Sequence, residues 1–185
     1  MGSQPDLLDD LLAEHDAIRV RFGELAVLPL GDQRRRRVVD LLTGEIMRHF
    51  AAEERYLHPL ARESLADAPA EVGIGQAAHR AVEALLADLG YTSAVSPAFD
   101  RLVARLVEEA MQHFAAEEAH IYAEIRTSTP AATLAELGRQ ARRADLPSQL
   151  HPWPQPPAAV PPDRRSPERL AAQRIRALLP PGEPG

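Results

Sequence analysis

The hexapeptide His49-Phe50-Ala51-Ala52-Glu53-Glu54 recurs unchanged as His113-Phe114-Ala115-Ala116-Glu117-Glu118, 64 positions downstream. The same offset carries His15 onto His79, Ile18 onto Val82, Leu25 onto Leu89, Val38 onto Leu102, Leu42 onto Leu106, Glu45 onto Glu109 and Met47 onto Met111. Residues 7–58 and 71–122 are thus two copies of one unit, and whatever that unit folds into must pack against its own duplicate. Its apolar residues recur every three or four positions, as Leu7, Leu8, Leu11, Leu12, Ile18, Phe22 and Leu25, then Val38, Val39, Leu42, Ile46 and Phe50. That spacing lines one face of a helix, and nothing here alternates with the period of two that a strand requires. A duplicated helix pair predicts an all-α fold, an antiparallel up-down four-helix bundle built from a duplicated helix hairpin.

Capping and breaking residues set the expected boundaries. Helix one runs from Asp6 to about Leu28 and closes at Pro29-Leu30-Gly31, and Asp32 caps a second that continues towards Pro59. A third spans roughly Pro69 to Leu89 with Gly90 as its stop. A fourth runs from Ser96-Pro97 to about Arg126, and Thr129-Pro130 opens a short fifth helix that ends near Arg143. Beyond Asp145 the prolines among which Trp153 sits break every continuous pattern. Residues 1–145 are therefore expected to form the bundle and fifth helix. Residues 146–185 are expected to form a proline-rich tail, with a candidate short helix over 167–179 that either docks or stays marginal.

Composition narrows the chemistry. The chain has no cysteine, which excludes disulfides, thiol nucleophiles and sulfur-ligated metals, so any metal must be held by His, Asp and Glu. Net charge of −6 argues against a nucleic-acid partner. No apolar run has the length of a membrane span and the N-terminus lacks a signal-peptide layout, so the expected location is cytoplasmic.

Residues four apart share a helix face, so His49 with Glu53 and His113 with Glu117 form two matched pairs, to which the first helix of each repeat adds His15 or His79. An antiparallel bundle brings mid-helix positions to one level, where four imidazoles and two carboxylates converge. Imidazoles supply neutral nitrogens and a carboxylate can bridge two cations, a set suited to a pair of iron or manganese ions with coordination positions left open. A single His-x-x-x-Glu is more often an ion pair than a ligand pair. Two copies at one offset, each facing an apolar core, favour the metal.

These six positions resemble the His/His-x-x-x-Glu pattern of the hemerythrin-like cation-binding (HHE) domain family, over about residues 6–127. The resemblance implies a non-haem di-iron centre with His15, His49, His79 and His113 as terminal ligands and Glu53 and Glu117 as bridges. The family includes oxygen carriers, oxygen or iron sensors and peroxide-decomposing enzymes. Oxygen-carrying members have a second histidine one turn along the third helix, where this chain has Glu83, so simple reversible oxygen carriage is not the expectation.

Around that set, Tyr56 and His120 lie seven residues beyond His49 and His113 and are expected on the metal-facing stripe. There they are candidate catalytic residues that hydrogen-bond a ligand on the metal, with His120 also a candidate seventh ligand; the alternative for both is a buried polar group satisfied by a neighbour. Glu45 and Glu109 either orient the imidazoles or form surface ion pairs. Glu54 and Glu118 are read as surface charges, His58 as a surface residue rotated away from the stripe, and Arg34 to Arg37 as a solvated junction. His151 falls in the tail. Glu117-x-x-His120 also matches the Glu-x-x-His unit of ferritin-like bundles, but only once, whereas the hemerythrin-like pattern accounts for both repeats.

The activity expected is that of an oxidoreductase whose di-iron centre binds and reduces O2 or peroxide, decomposing peroxide or oxidising a small organic substrate. The alternative is a non-catalytic O2 or iron sensor, carrier or store, with the arginine-containing C-terminal segment as a partner-binding or self-contacting arm.

Overall fold

A computed structural model describes residues 5–66 and 68–144, and every regular element among them is helical. The tail, its candidate helix, Trp153 and His151 lie outside the described residues. Helix α1 (Leu7–Val27) begins where the Asp6 carboxylate accepts the backbone N–H groups of Leu8 and Asp9, while Asp9 reciprocates to the Asp6 N–H. This capping box satisfies donors that a helix N-terminus otherwise leaves open. Gly31, at φ 76°, supplies the left-handed residue that reverses the chain. Helix α2 (Arg34–Ala52) follows, then a π-helical turn (Glu53–Leu57) and α3 (His58–Ser64), all with right-handed helical backbone.

The second hairpin repeats the plan with α4 (Ala68–Tyr91) and α5 (Pro97–Ala119), the latter capped by Ser96 and opened by a first-turn proline. His120, at φ −118° and ψ −79°, kinks the chain into α6 (Ile121–Ser128), and α7 (Ala131–Arg143) folds back along α1. Gly90 lies inside α4 rather than stopping it. Pro59 does not end the second helix either. The turn before it is already π-helical, with the His58 N–H bonded to Glu53 O, so the proline sits where the ordinary i to i−4 ladder has lapsed. None of these helices is long and apolar enough to cross a membrane.

The arginine run is not simply a solvated junction. Arg34 and Arg37 are exposed, but Arg35 is buried and donates to the carbonyls of Leu25 and Leu28 at 2.6 and 3.1 Å, besides pairing with Asp100 at 3.1 Å. It thereby satisfies carbonyls that the end of α1 leaves open. Arg36 donates to Thr92 O and lies over the Phe99 ring, tying α2 to the end of α4.

Apolar side chains form two clusters, one around Phe22, Leu42, Leu86 and Phe99 and the other around Leu8, Leu57, Ile121 and Leu134. Along α1 and α4 the buried His15 and His79 fall between the two, and His49, Glu53, His113 and Glu117 meet them at that level from the neighbouring helices. The bundle therefore has a polar layer sandwiched by two apolar ones.

Helix α7 approaches α1 very closely at Gly138: a Cβ there would stand 2.8 Å from the backbone at Asp6 and Leu7. Gly138→Ala should destabilise the fold by about 1–3 kcal/mol despite alanine's better helix propensity, because backbone rather than a flexible side chain must yield. A lowered midpoint in urea unfolding checks this, and an unchanged or raised midpoint contradicts it.

Candidate metal centre

Each ligand candidate is delivered by a different turn of helix, and all six are buried. His15 Nε2 faces His49 Nε2 at 2.9 Å, and His79 Nε2 faces His113 Nε2 at 3.1 Å, so each hairpin closes one imidazole pair. The glutamates lie between the pairs. Glu53 Oε1 is 3.3 Å from His49 Nε2 while its Oε2 is 3.1 Å from His79 Nε2; Glu117 Oε2 is 3.3 Å from His113 Nε2 and 3.6 Å from His15 Nε2. Two four-residue groups result, His15, His49, Glu53, Glu117 and Glu53, His79, His113, Glu117, with ligand atoms in each within 4.8 Å of one another. Each group is thus two nitrogens and two carboxylates, and the carboxylates are common to both.

The far side of each ring is also held. Phe114 stacks on His15 at 3.9 Å and Phe50 on His79 at 3.8 Å, the same contact in each repeat. Glu118 accepts from His15 Nδ1 at 2.7 Å, and Glu14 from His49 Nδ1 at 3.0 Å. Glu54 reaches to 3.7 Å of His79 Nδ1. A carboxylate on Nδ1 fixes the tautomer with its Nε2 lone pair inward, the form that binds a metal. Glu54 and Glu118 are therefore not idle surface charges: being next in sequence to the bridging candidates turns them behind the histidine of the neighbouring helix. Glu14 has no acidic counterpart in the second repeat, where Ala78 stands.

Tyr56 and His120 do not lie where the spacing put them, and His58 is buried rather than at the surface. Tyr56 is buried, but its hydroxyl points to Gln140 O at 3.5 Å in α7, away from the centre. His120 is exposed at the kink between α5 and α6. The seven-residue step fails in both repeats because the π-helical turn shifts the register after Glu53 and the kink shifts it after Glu117. The inward positions are nine residues beyond the histidines instead. His58 is 1% exposed with its ring 5.6 Å from that of His79, and Tyr122 stacks at 5.6 Å from His15 and donates to Glu53 Oε1 at 2.7 Å. Their 64-residue separation is visible in the sequence, but only the register shifts after Glu53 and Glu117 turn them inward. Glu45 pairs with Arg21, Glu109 is half-buried, and Glu83 is buried on α4 but contributes to neither four-residue group.

The electrostatics are those of charges confined together. Burial raises Glu53, but the positive charge of His49 and hydrogen bonds from His113, His49 and His79 outweigh it and hold the carboxyl well below the usual range. Burial and the Glu53 charge push Glu117 well above that range. Burial works against protonated His49 too, but Glu53 and Glu14 bring it up to about 9, while burial and the His49 charge press His15 down to about 4. Burial and then the charges of Glu53 and Glu117 keep Tyr122 a phenol. The raised His49 and Glu117 thus favour protons that a cation would have to displace.

Comparison with known proteins agrees with the geometry. The family profile described as the hemerythrin HHE cation binding domain matches residues 6–94. A solved hemerythrin HHE cation-binding domain-containing protein from Mycobacterium kansasii superposes with a TM-score of 0.66 at 21% identity, over 75% of this chain and 84% of that one. Among curated proteins none matches. The profile match stops before α5, and the 64-residue offset carries the pattern on to His113 and Glu117.

Two outcomes follow. Because a metal must displace protons from groups whose pKa is raised, affinity for Co2+ should fall as pH drops from about 8 to 6, by about tenfold per unit for each proton displaced, and pH-independent binding would contradict this. Tyr122→Phe removes the hydrogen bond that fixes Glu53 and should weaken metal binding about 10–100-fold, read by the same titration.

Proposed function

Because residues 6–94 are hemerythrin-like, we propose that the chain is a non-haem di-iron oxidoreductase that binds and reduces O2 or peroxide. The observation that carries the reading is the pair of four-residue groups sharing Glu53 and Glu117. The donor set fits two iron ions, with manganese the other metal it suits: two imidazole nitrogens and shared carboxylates for each leave coordination positions open. The carboxylates also have capacity to spare, since neither buried oxygen of Glu117 has a hydrogen-bond partner among the described residues. When bound, an iron pair supplies the electrons and Lewis acidity that reduction of O2 or peroxide requires.

The chain's own groups prepare that chemistry. His15, His49, His79 and His113 would hold the ions from the sides and Glu53 and Glu117 between them, while Glu14 and Glu118 keep protons on the outer nitrogens of His49 and His15. Phe50 and Phe114 cover the rings and exclude water. Tyr122 holds a proton at Glu53 Oε1, the place in the described centre where a hydroxyl meets a bridging candidate. O2 or peroxide is the small-molecule partner on this reading, with a small organic substrate as the co-reactant if peroxide is not simply disproportionated.

Metal analysis of the purified chain, with optical spectra and oxygen-electrode traces under O2 and under peroxide, tests the proposal. Two irons per chain and turnover of either oxidant are expected. A stable reversible O2 complex without turnover would make the protein a carrier, sensor or store instead, and metal-loaded protein inert to both would remove the oxidoreductase reading. His49→Ala combined with His113→Ala takes one nitrogen from each group and should abolish dinuclear binding; two metals retained per chain would refute the ligand assignment.

A further inference from the structure

His58 is an imidazole that the centre described above leaves unused. It is 1% exposed, and neither Nδ1 nor Nε2 has a hydrogen-bond partner among the described residues. A buried polar group in that state is costly and calls for a use. Its position follows from the repeat: His58 is the counterpart of Tyr122 and lies over His79 as Tyr122 lies over His15. Tyr122 gives its hydroxyl to Glu53. The counterpart of Glu53 is Glu117, and no such bond joins it to His58.

Gly75 explains the difference. A Cβ on this residue would stand 3.8 Å from His58 Nε2 and 4.0 Å from Glu117 Oε1, so the missing side chain leaves space facing both polar atoms. The first repeat has Leu11 at the equivalent position, 1% exposed and packed in the same apolar cluster as Tyr122. One half of the centre is therefore closed by a leucine and a phenol already engaged. The other has a hydrogen atom in place of the leucine side chain and an imidazole with both nitrogens uncommitted.

We propose that the space at Gly75 is a subsite for a small polar ligand of a few heavy atoms, of the class of peroxide or azide, held by a hydrogen bond from His58 at the His79–His113 half of the centre. His58 is a binding and positioning residue here, since its ring lies over a ligand candidate rather than beside it. The inference rests on the reading of the six residues as a metal centre, and not on any particular turnover.

Azide titration of the iron-loaded full chain, followed by its charge-transfer absorption and with iron counted on every variant, tests this. Gly75→Ala makes only ordinary contacts and improves helix propensity, so it should keep both irons and thermal stability while weakening azide about tenfold. His58→Leu should weaken azide similarly with iron retained, and His58→Gln should restore part of the affinity. Azide bound within about twofold of wild type by both Gly75→Ala and His58→Gln, or loss of an iron in His58→Leu, overturns the subsite. Should His58→Leu fail to fold, the other two variants decide. A wild-type chain that takes up no iron overturns the centre and the subsite together. One that takes up iron, shows this azide pattern and turns over neither oxidant overturns the oxidoreductase reading alone.

Discussion

Glu53 and Glu117 are confined together in the interior, 0% and 3% exposed, in a layer bounded above and below by aliphatic and aromatic side chains. Two carboxylates that close in a poorly polarisable medium cannot both stay ionised unless cations answer them. The protein's own answer is to raise His49 to about 9 and to push Glu117 well above the usual carboxylate range, so that cations would compete with protons for the inward-facing lone pairs. Everything near the layer acts to keep those lone pairs pointed inward. The phenylalanines fix the planes of His15 and His79, and acidic groups on neighbouring helices engage the outer nitrogens. Any apolar replacement of the layer would pack at least as easily, so the polar set is better explained by what it binds than by what it stabilises.

Duplication gives this layer its approximate two-fold form, and the departures from symmetry are confined to its margin. The six ligand candidates and the two stacked phenylalanines repeat without change. What differs is Glu14 against Ala78, Tyr122 against His58, and Leu11 against Gly75. A symmetric scaffold with asymmetric margins makes the two four-residue groups alike in donors and unlike in the hydrogen bonding around them.

How far the sequence could be read follows from the same details. Helical spacing and the 64-residue offset sufficed for an all-helical duplicated hairpin, and step-of-four arithmetic within a regular helix sufficed to bring His49 to Glu53 and His113 to Glu117. The arithmetic failed one turn later. A π-helical turn follows Glu53 and a kink follows Glu117, so Tyr56 and His120 turn away while His58 and Tyr122 turn in. No local signal in Glu53–Leu57 announces such a turn, apart from the nearby Pro59 that an uninterrupted helix would not accept. Glu14, Glu54 and Glu118 act on rings belonging to other helices, and Arg35 caps a helix end ten residues earlier in the chain. Such relations exist only after the helices are packed, so no periodicity within one helix reveals them.

The two apolar clusters bear on how the centre and the fold depend on each other. Each draws on several helices and contains no metal-ligand candidate, so hydrophobic burial on both sides of the layer can hold the bundle without an ion. This separates the chain from small metal domains whose folding free energy is their metal-binding free energy. A scaffold that stands alone does not need a closed, saturated coordination sphere to keep its shape. Metal binding then contributes only the stabilisation set by its own affinity. The donor set is therefore free to serve the binding of a cation rather than the integrity of the fold.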